Sequence, residues 1–146
     1  MTDHVGDLII INVIAKPGQH FASYDLLQAI SATGMRFGAM NIFHYYSKVA
    51  MDKKTLFSLA SATEPGEFDL NRMGDFSCKG LTLFMNLHQV PDRGEAFALM
   101  LSAAEQLAED LRGELQTGSR EPWNDEIRQQ YQTRIASPTR GEANTV

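Results

Sequence analysis

Positive charge is in short supply: 13 Lys and Arg stand against 18 Asp and Glu, leaving a net charge of -5. A nucleic-acid binder needs a basic face for phosphates, so that class of partner is disfavoured. Cysteine occurs once, at Cys78. A lone cysteine excludes an internal disulfide and paired-cysteine metal sites, and it fits a reducing compartment. No apolar run approaches the roughly 20 residues that span a bilayer. The opening residues Met1 to Asp7 are too acidic for a signal peptide, so the sequence predicts a soluble chain. Gly-rich phosphate loops, the GxSxG elbow and HExxH are all missing. His4, His20, His44 and His88 show no ligand spacing, although His44 and His88 could meet across strands. Cys78 lies beside Lys79, which would favour a thiolate, but packing is the commoner fate of such a residue. The acids Glu105, Glu109 and Asp110 suit a solvated helix face.

What remains is ordinary globular material: 146 residues, 43% hydrophobic and 21% charged, enough for one domain with its own core. Residues 8–14 (LIIINVI) are rich in β-branched side chains and precede the Lys16-Pro17-Gly18 turn signal, which predicts a strand. Ser23 is placed to cap a helix carrying Leu26, Leu27 and Ile30, with Gly34 at its stop. Residues 39–45 (AMNIFHY) and 55–62 (TLFSLASA) read as an antiparallel pair across the 47–54 loop. Residues 65–79 read as irregular, with Phe68, Met73 and Phe76 as anchors and one helical turn between Asp69 and Gly74. Residues 81–87 form a further strand, and Asp92 is placed to cap a helix whose stripe runs Phe97, Met100, Leu101, Ala104, Leu107, Ala108, Leu111 up to Gly113. A short strand at 114–118 and a helix from Asn124 with Ile127, Tyr131 and Ile135 on one face complete the pattern. This order predicts an α+β domain over residues 7–136 with a largely antiparallel sheet, between a disordered start (1–6) and a disordered tail (137–146).

The strands carry more apolar surface than one covered face requires. A half-covered sheet alternates apolar and polar positions. Here one parity holds Ile9, Ile11, Val13, Phe43, Phe57, Leu59, Leu81 and Leu83. The other still holds Leu8, Ile10, Met40, Ile42, Ala60, Ala62, Thr82 and Phe84, with Asn12, His44, Ser58 and Asn86 as a polar margin. Three helices with one stripe each cover one face. The second face is then either an exposed binding patch, or is buried by further helices or by a second copy of the chain.

Four stretches carry a resemblance: IIINVIA at 9–15, FGAMNIFH at 37–44, LFSLASATEPGEFD at 56–69 and GLTLFMNLHQVPD at 80–92. Together they resemble the C-terminal domain of the ZipA family of bacterial division proteins, over residues 7–135. The resemblance implies a split β-α-β type fold: a six-stranded antiparallel sheet, three helices on one face and a shallow hydrophobic groove across the other. It further implies a non-catalytic adaptor, without cofactor or metal, that takes the C-terminal tail peptide of FtsZ and so links FtsZ polymers during septum assembly. The groove positions carried over are Leu8, Ile10, Met40, Ile42, Ala60, Ala62, Glu64, Thr82, Phe84 and Asn86. Ala62 and Glu64 depart from relatives that have a larger apolar residue and a lysine there, which implies a shallower and more acidic end. Family members carry an N-terminal transmembrane helix and a linker. The resemblance therefore implies a piece of a longer protein, held at the cytoplasmic face of the inner membrane, in which this domain touches neither membrane nor nucleic acid and is monomeric in isolation. A small enzyme using His44 or Cys78, or a module that self-associates through the same face, are the competing readings.

Overall fold

A computed structural model describes residues 7–48, 54–62, 66–69 and 77–136. Three helices and a six-stranded antiparallel sheet form an α+β domain. In chain order the elements are β1 (Leu8–Ile14), β2 (Phe21–Ala22), α1 (Ser23–Ala32), β3 (Arg36–Phe37), a 3-10 turn (Ala39–Asn41), β4 (Phe43–Tyr46) and β5 (Thr55–Ser61). There follow β6 (Ser77–Cys78), β7 (Gly80–Asn86), α2 (Arg93–Leu111), β8 (Glu114–Thr117) and α3 (Asp125–Ala136). The large sheet runs β3-β4-β5-β7-β1-β8, and β2 pairs separately with β6. Glu64, Met73, Phe76, the turn expected between Asp69 and Gly74, and both terminal segments lie outside the described residues.

The parity of the strands decides the layers. Ile9, Ile11 and Val13 of β1 stand opposite Met85, Leu83 and Leu81 of β7, and Leu83 stands opposite Leu59 of β5. All of these are buried, together with Phe43 and Phe57 on the same parity. Leu26 and Ile30 of α1, Phe97, Met100, Ala104 and Leu107 of α2, and Ile135 of α3 join them in one core. α2 lies on β1, and α1 and α3 flank it, so all three helices share one face.

Local chemistry ends the helices as the sequence suggests, with two differences. Asp92 caps α2, its Oδ1 accepting from the Glu95 amide at 3.0 Å, and Asn124 does the same for α3 through the Ile127 amide at 2.8 Å. Ser23, expected as a cap, is instead the first residue of α1; Ala22 precedes it and offers no side-chain bond. At the end of α2 the left-handed cap is Arg112, not Gly113. Gly113 is required for another reason: a Cβ there would stand 2.9 Å from both the Ile14 carbonyl oxygen and the Phe21 ring.

The strand expected over 39–45 is the main correction. Residues 39–41 form a tight turn in which Met40 and Asn41 both have positive φ, at 62° and 60°, and regular pairing starts only at Phe43. The turn closes through Gly38 N–H to the Ile42 carbonyl (3.0 Å) and Asn41 N–H to the Gly38 carbonyl (3.1 Å). Phe68 N–H adds a bond to the Asn41 carbonyl at 2.8 Å, anchoring the turn from another segment.

Candidate functional site

Opposite the helices, the second parity of the strands builds a different surface. Ile10, Phe84, Ser58 and His44 are successive cross-strand neighbours on β1, β7, β5 and β4. At about 4.8 Å per strand this row spans roughly 14 Å. Beside it Asn12, Thr82 and Ala60 form a second row, and Leu8 pairs with Asn86 on the other side. Leu8, Ile10, Ala60, Thr82, Phe84 and Asn86 are half-buried, and Ala62 is exposed. Neither Leu8, Ile10 nor Phe84 belongs to the core or packs against it. A shallow depression of about 130 Å³ opens beside Leu8, Ser58, Phe84 and Asn86.

The sequence-expected residues thus converge on one face, with differences in exposure. Met40 is 71% exposed, because its turn lifts it out of the strand line. Ile42 is only 6% exposed although it lies outside the core cluster, so little of it is open to a partner. Glu64 is outside the described residues. Ile14, which the sequence reading did not include, belongs to this face: a Cβ on Gly80 would stand 2.6 Å from Ile14 Cδ1 and 3.3 Å from Ala62 Cβ. The signal was available, since Ile14 shares the parity of Leu8 and Ile10.

Of the expected polar margin, Asn12, His44 and Ser58 are buried and internally bonded, and Asn86 is half-buried. Asn12 donates through Nδ2 to the Thr117 carbonyl (2.9 Å), and its Oδ1 accepts from the Thr82 hydroxyl (2.7 Å). His44 Nε2 lies 2.9 Å from the Ala39 carbonyl and its Nδ1 2.7 Å from Ser58 Oγ. A carbonyl can only accept, so Nε2 carries a proton and donates to Ala39, while Nδ1 shares a hydrogen bond with the Ser58 hydroxyl. The face therefore shows a partner few unsatisfied polar groups among these residues.

The edge of β1 is finished by α3. β8 pairs only with residues 11–14 of β1. Beyond that, the Tyr131 hydroxyl donates to the Ile10 carbonyl (2.8 Å) and Arg134 donates to the Leu8 carbonyl (3.0 Å). Burial raises the Tyr131 pKa, against the Gly118 N–H and the nearby Arg134 charge, which lower it; Glu121 adds to the rise. Gly118 sits close against this edge, its would-be Cβ 3.2 Å from Ile10 Cβ.

Ser58 and His44 make a hydroxyl–imidazole contact, but both are buried, and the ring's other nitrogen is held by the Ala39 carbonyl rather than by a carboxylate. His88 bonds Asp7 at 2.6 Å and does not meet His44. Cys78 is buried, and desolvation raises its pKa despite bonds from Gly80 and Ser61, which keeps the thiol protonated. Among the described residues no three His, Cys, Asp or Glu side chains gather as metal ligands would. A larger groove of about 990 Å³ runs between α2 and α3 past Leu87, Val90, Phe97, Leu101 and Ile135. Those five side chains are already buried, so a partner there would gain little apolar surface, unlike one on the sheet face.

Comparison with known proteins agrees with this geometry. Residues 7–134 match the family described as "ZipA, C-terminal FtsZ-binding domain". The chain is 38% identical over 129 residues to the cell division protein ZipA of Shewanella halifaxensis, covering 88% of this chain and 42% of that one. It is 39% identical over 129 residues to ZipA of Shewanella sediminis, covering 88% and 38%. With ZipA of Shewanella putrefaciens the identity is 37% over 133 residues, covering 91% and 39%. The chain spans about two-fifths of the length of these relatives. By this similarity over most of its length, the chain belongs to the family of ZipA C-terminal, FtsZ-binding domains.

Proposed function

We propose that this domain is a non-catalytic adaptor in cell division that binds FtsZ through its uncovered sheet face. The occupant is the C-terminal tail peptide of FtsZ, lying across Leu8, Ile10, Phe84 and Thr82 with Met40 and Ala62 at the margins; Ala60, Ile42, Asn86 and Glu64 complete the contact set. The observation that carries this reading is the set of half-exposed apolar side chains Leu8, Ile10 and Phe84, which among the described residues lie outside the core that the helices build. An apolar patch with satisfied polar neighbours suits a protein partner. The match to an FtsZ-binding family supports which partner that is. The function needs neither cofactor nor metal. The parent protein is tethered to the inner membrane, and the domain works as a monomer on the cytoplasmic side at the division site.

Amide-resolved NMR of the isotope-labelled domain, titrated with the FtsZ tail peptide, tests the location. The largest shifts are expected at Ile10, Thr82 and Phe84. Shifts confined to α2 and α3 would place the partner in the helix groove and reject the sheet face.

A further inference from the structure

The Met40 turn invites a question of cause, because two consecutive residues with side chains hold left-handed backbone there. Asn41 tolerates that region through its short polar side chain, but an unbranched apolar residue such as Met40 adopts it only where the surroundings impose it. The imposing groups are identifiable. His44 Nε2–H donates to the carbonyl of Ala39, the residue preceding Met40, at 2.9 Å. Its other nitrogen is hydrogen-bonded to Ser58 Oγ at 2.7 Å, which fixes the ring against β5. Gly38 folds closely over the same ring: a Cβ there would lie 3.2 Å from Tyr46 Oη and 3.5 Å from His44 Cδ2. Ser58 in turn is the cross-strand neighbour of Phe84. A continuous chain of contacts therefore runs from Phe84 through Ser58 and His44 to the turn that displays Met40.

We infer that His44 is a positioning residue for the protein partner: clamped between Ser58 and the Ala39 carbonyl, it sets the left-handed turn that holds Met40 out as an apolar wall of the docking face. This rests on the reading of the sheet face as the FtsZ site. His44 itself is 6% exposed, so it presents almost no surface for a partner to touch. Methionine suits the displayed position, being flexible and polarizable enough to adapt to a peptide. A histidine that merely packs would affect stability alone; one that acts through Met40 makes its effect on binding depend on Met40.

The test is a double-mutant cycle read by titration with the FtsZ tail peptide, alongside the Met40 methyl and amide resonances of the unbound protein. His44→Phe removes both ring bonds and is expected to weaken binding about tenfold, as is Met40→Ala. In the Met40→Ala background, His44→Phe is expected to cost less than about twofold. His44→Gln, whose amide can still donate to Ala39, is expected to restore most of the loss. Should His44→Phe not fold, Ser58→Ala keeps the ring and removes its anchor; it is expected to weaken binding about threefold, again only when Met40 is present. Losses that add, or a folded His44→Phe that binds like the parent, would overturn the positioning role. A parent that binds no peptide, while Met40 resonances move in His44→Phe, would overturn the FtsZ reading and uphold the control of the turn.

Discussion

Leu83 and Phe84 are neighbours in the chain and part company in the fold. Leu83 is wholly buried between Ile11 and Leu59, while Phe84 is half-exposed between Ile10 and Ser58 on the opposite face. Truncating a buried leucine removes its transfer free energy and leaves a cavity, so Leu83→Ala is expected to cost about 2 to 5 kcal/mol of stability. Phe84→Ala is expected to leave the urea midpoint nearly unchanged, and equilibrium unfolding of the two variants checks the contrast. Polar residues needed more than parity. Asn12, His44 and Ser58 occupy the alternate face, where sequence suggests a solvated margin, yet they are 5 to 7% exposed. Asn12 bonds Thr82 and Thr117, far away in the chain, and His44 bonds the Ala39 carbonyl across an unforeseen turn and Ser58 across a strand pair; no alternation pattern announces these partners.

At the scale of elements, α3 closes the β1 edge with the Tyr131 hydroxyl and Arg134. Tyr131→Phe removes a donor to the Ile10 carbonyl and an acceptor for Gly118, and is expected to cost about 1 kcal/mol. Because the folded-state pKa of Tyr131 is raised from its ordinary 10.0, its contribution is complete below pH 10 and is lost as pH rises through the folded value. A pH series of denaturation midpoints should therefore fall less steeply above pH 10 in Tyr131→Phe than in the parent. At the other end of the helical layer, Asp92→Ala removes the α2 cap and is expected to cost about 1 kcal/mol, read by thermal unfolding. Strong signals made these elements legible: β1 from its β-branched run before the Lys16-Pro17-Gly18 turn signal, α2 from its stripe and cap. The two-residue strands β2, β3 and β6 are shorter than any periodicity. The turn at 39–41 is hidden in the sequence because it runs straight into the β-like Ile42-Phe43-His44-Tyr45 stretch, and its left-handed backbone is imposed by His44 and Phe68 rather than by a glycine at the turn's centre.

For the whole molecule, a one-sided layer arrangement leaves a partly apolar face on an acidic protein of net charge -5. Recognition through that face should be insensitive to ionic strength, since screening acts on exposed charges and the contacts proposed are apolar. Raising salt from about 0.05 to 0.5 M, which shortens the Debye length from about 14 to 4 Å, is expected to change peptide affinity less than about threefold. Sedimentation at several concentrations should find a monomer; a tight dimer burying the sheet face would instead make that face a self-association surface. The central claim is most directly tested by calorimetric titration of the FtsZ C-terminal peptide, from the same organism, into the parent and Phe84→Ala domains. Interface energy concentrates in a few central side chains, so saturable 1:1 binding by the parent and a loss of about 2 kcal/mol in Phe84→Ala, roughly thirtyfold, is the expected result. Equal affinity of a folded Phe84→Ala domain, or no binding by the parent, would contradict the account.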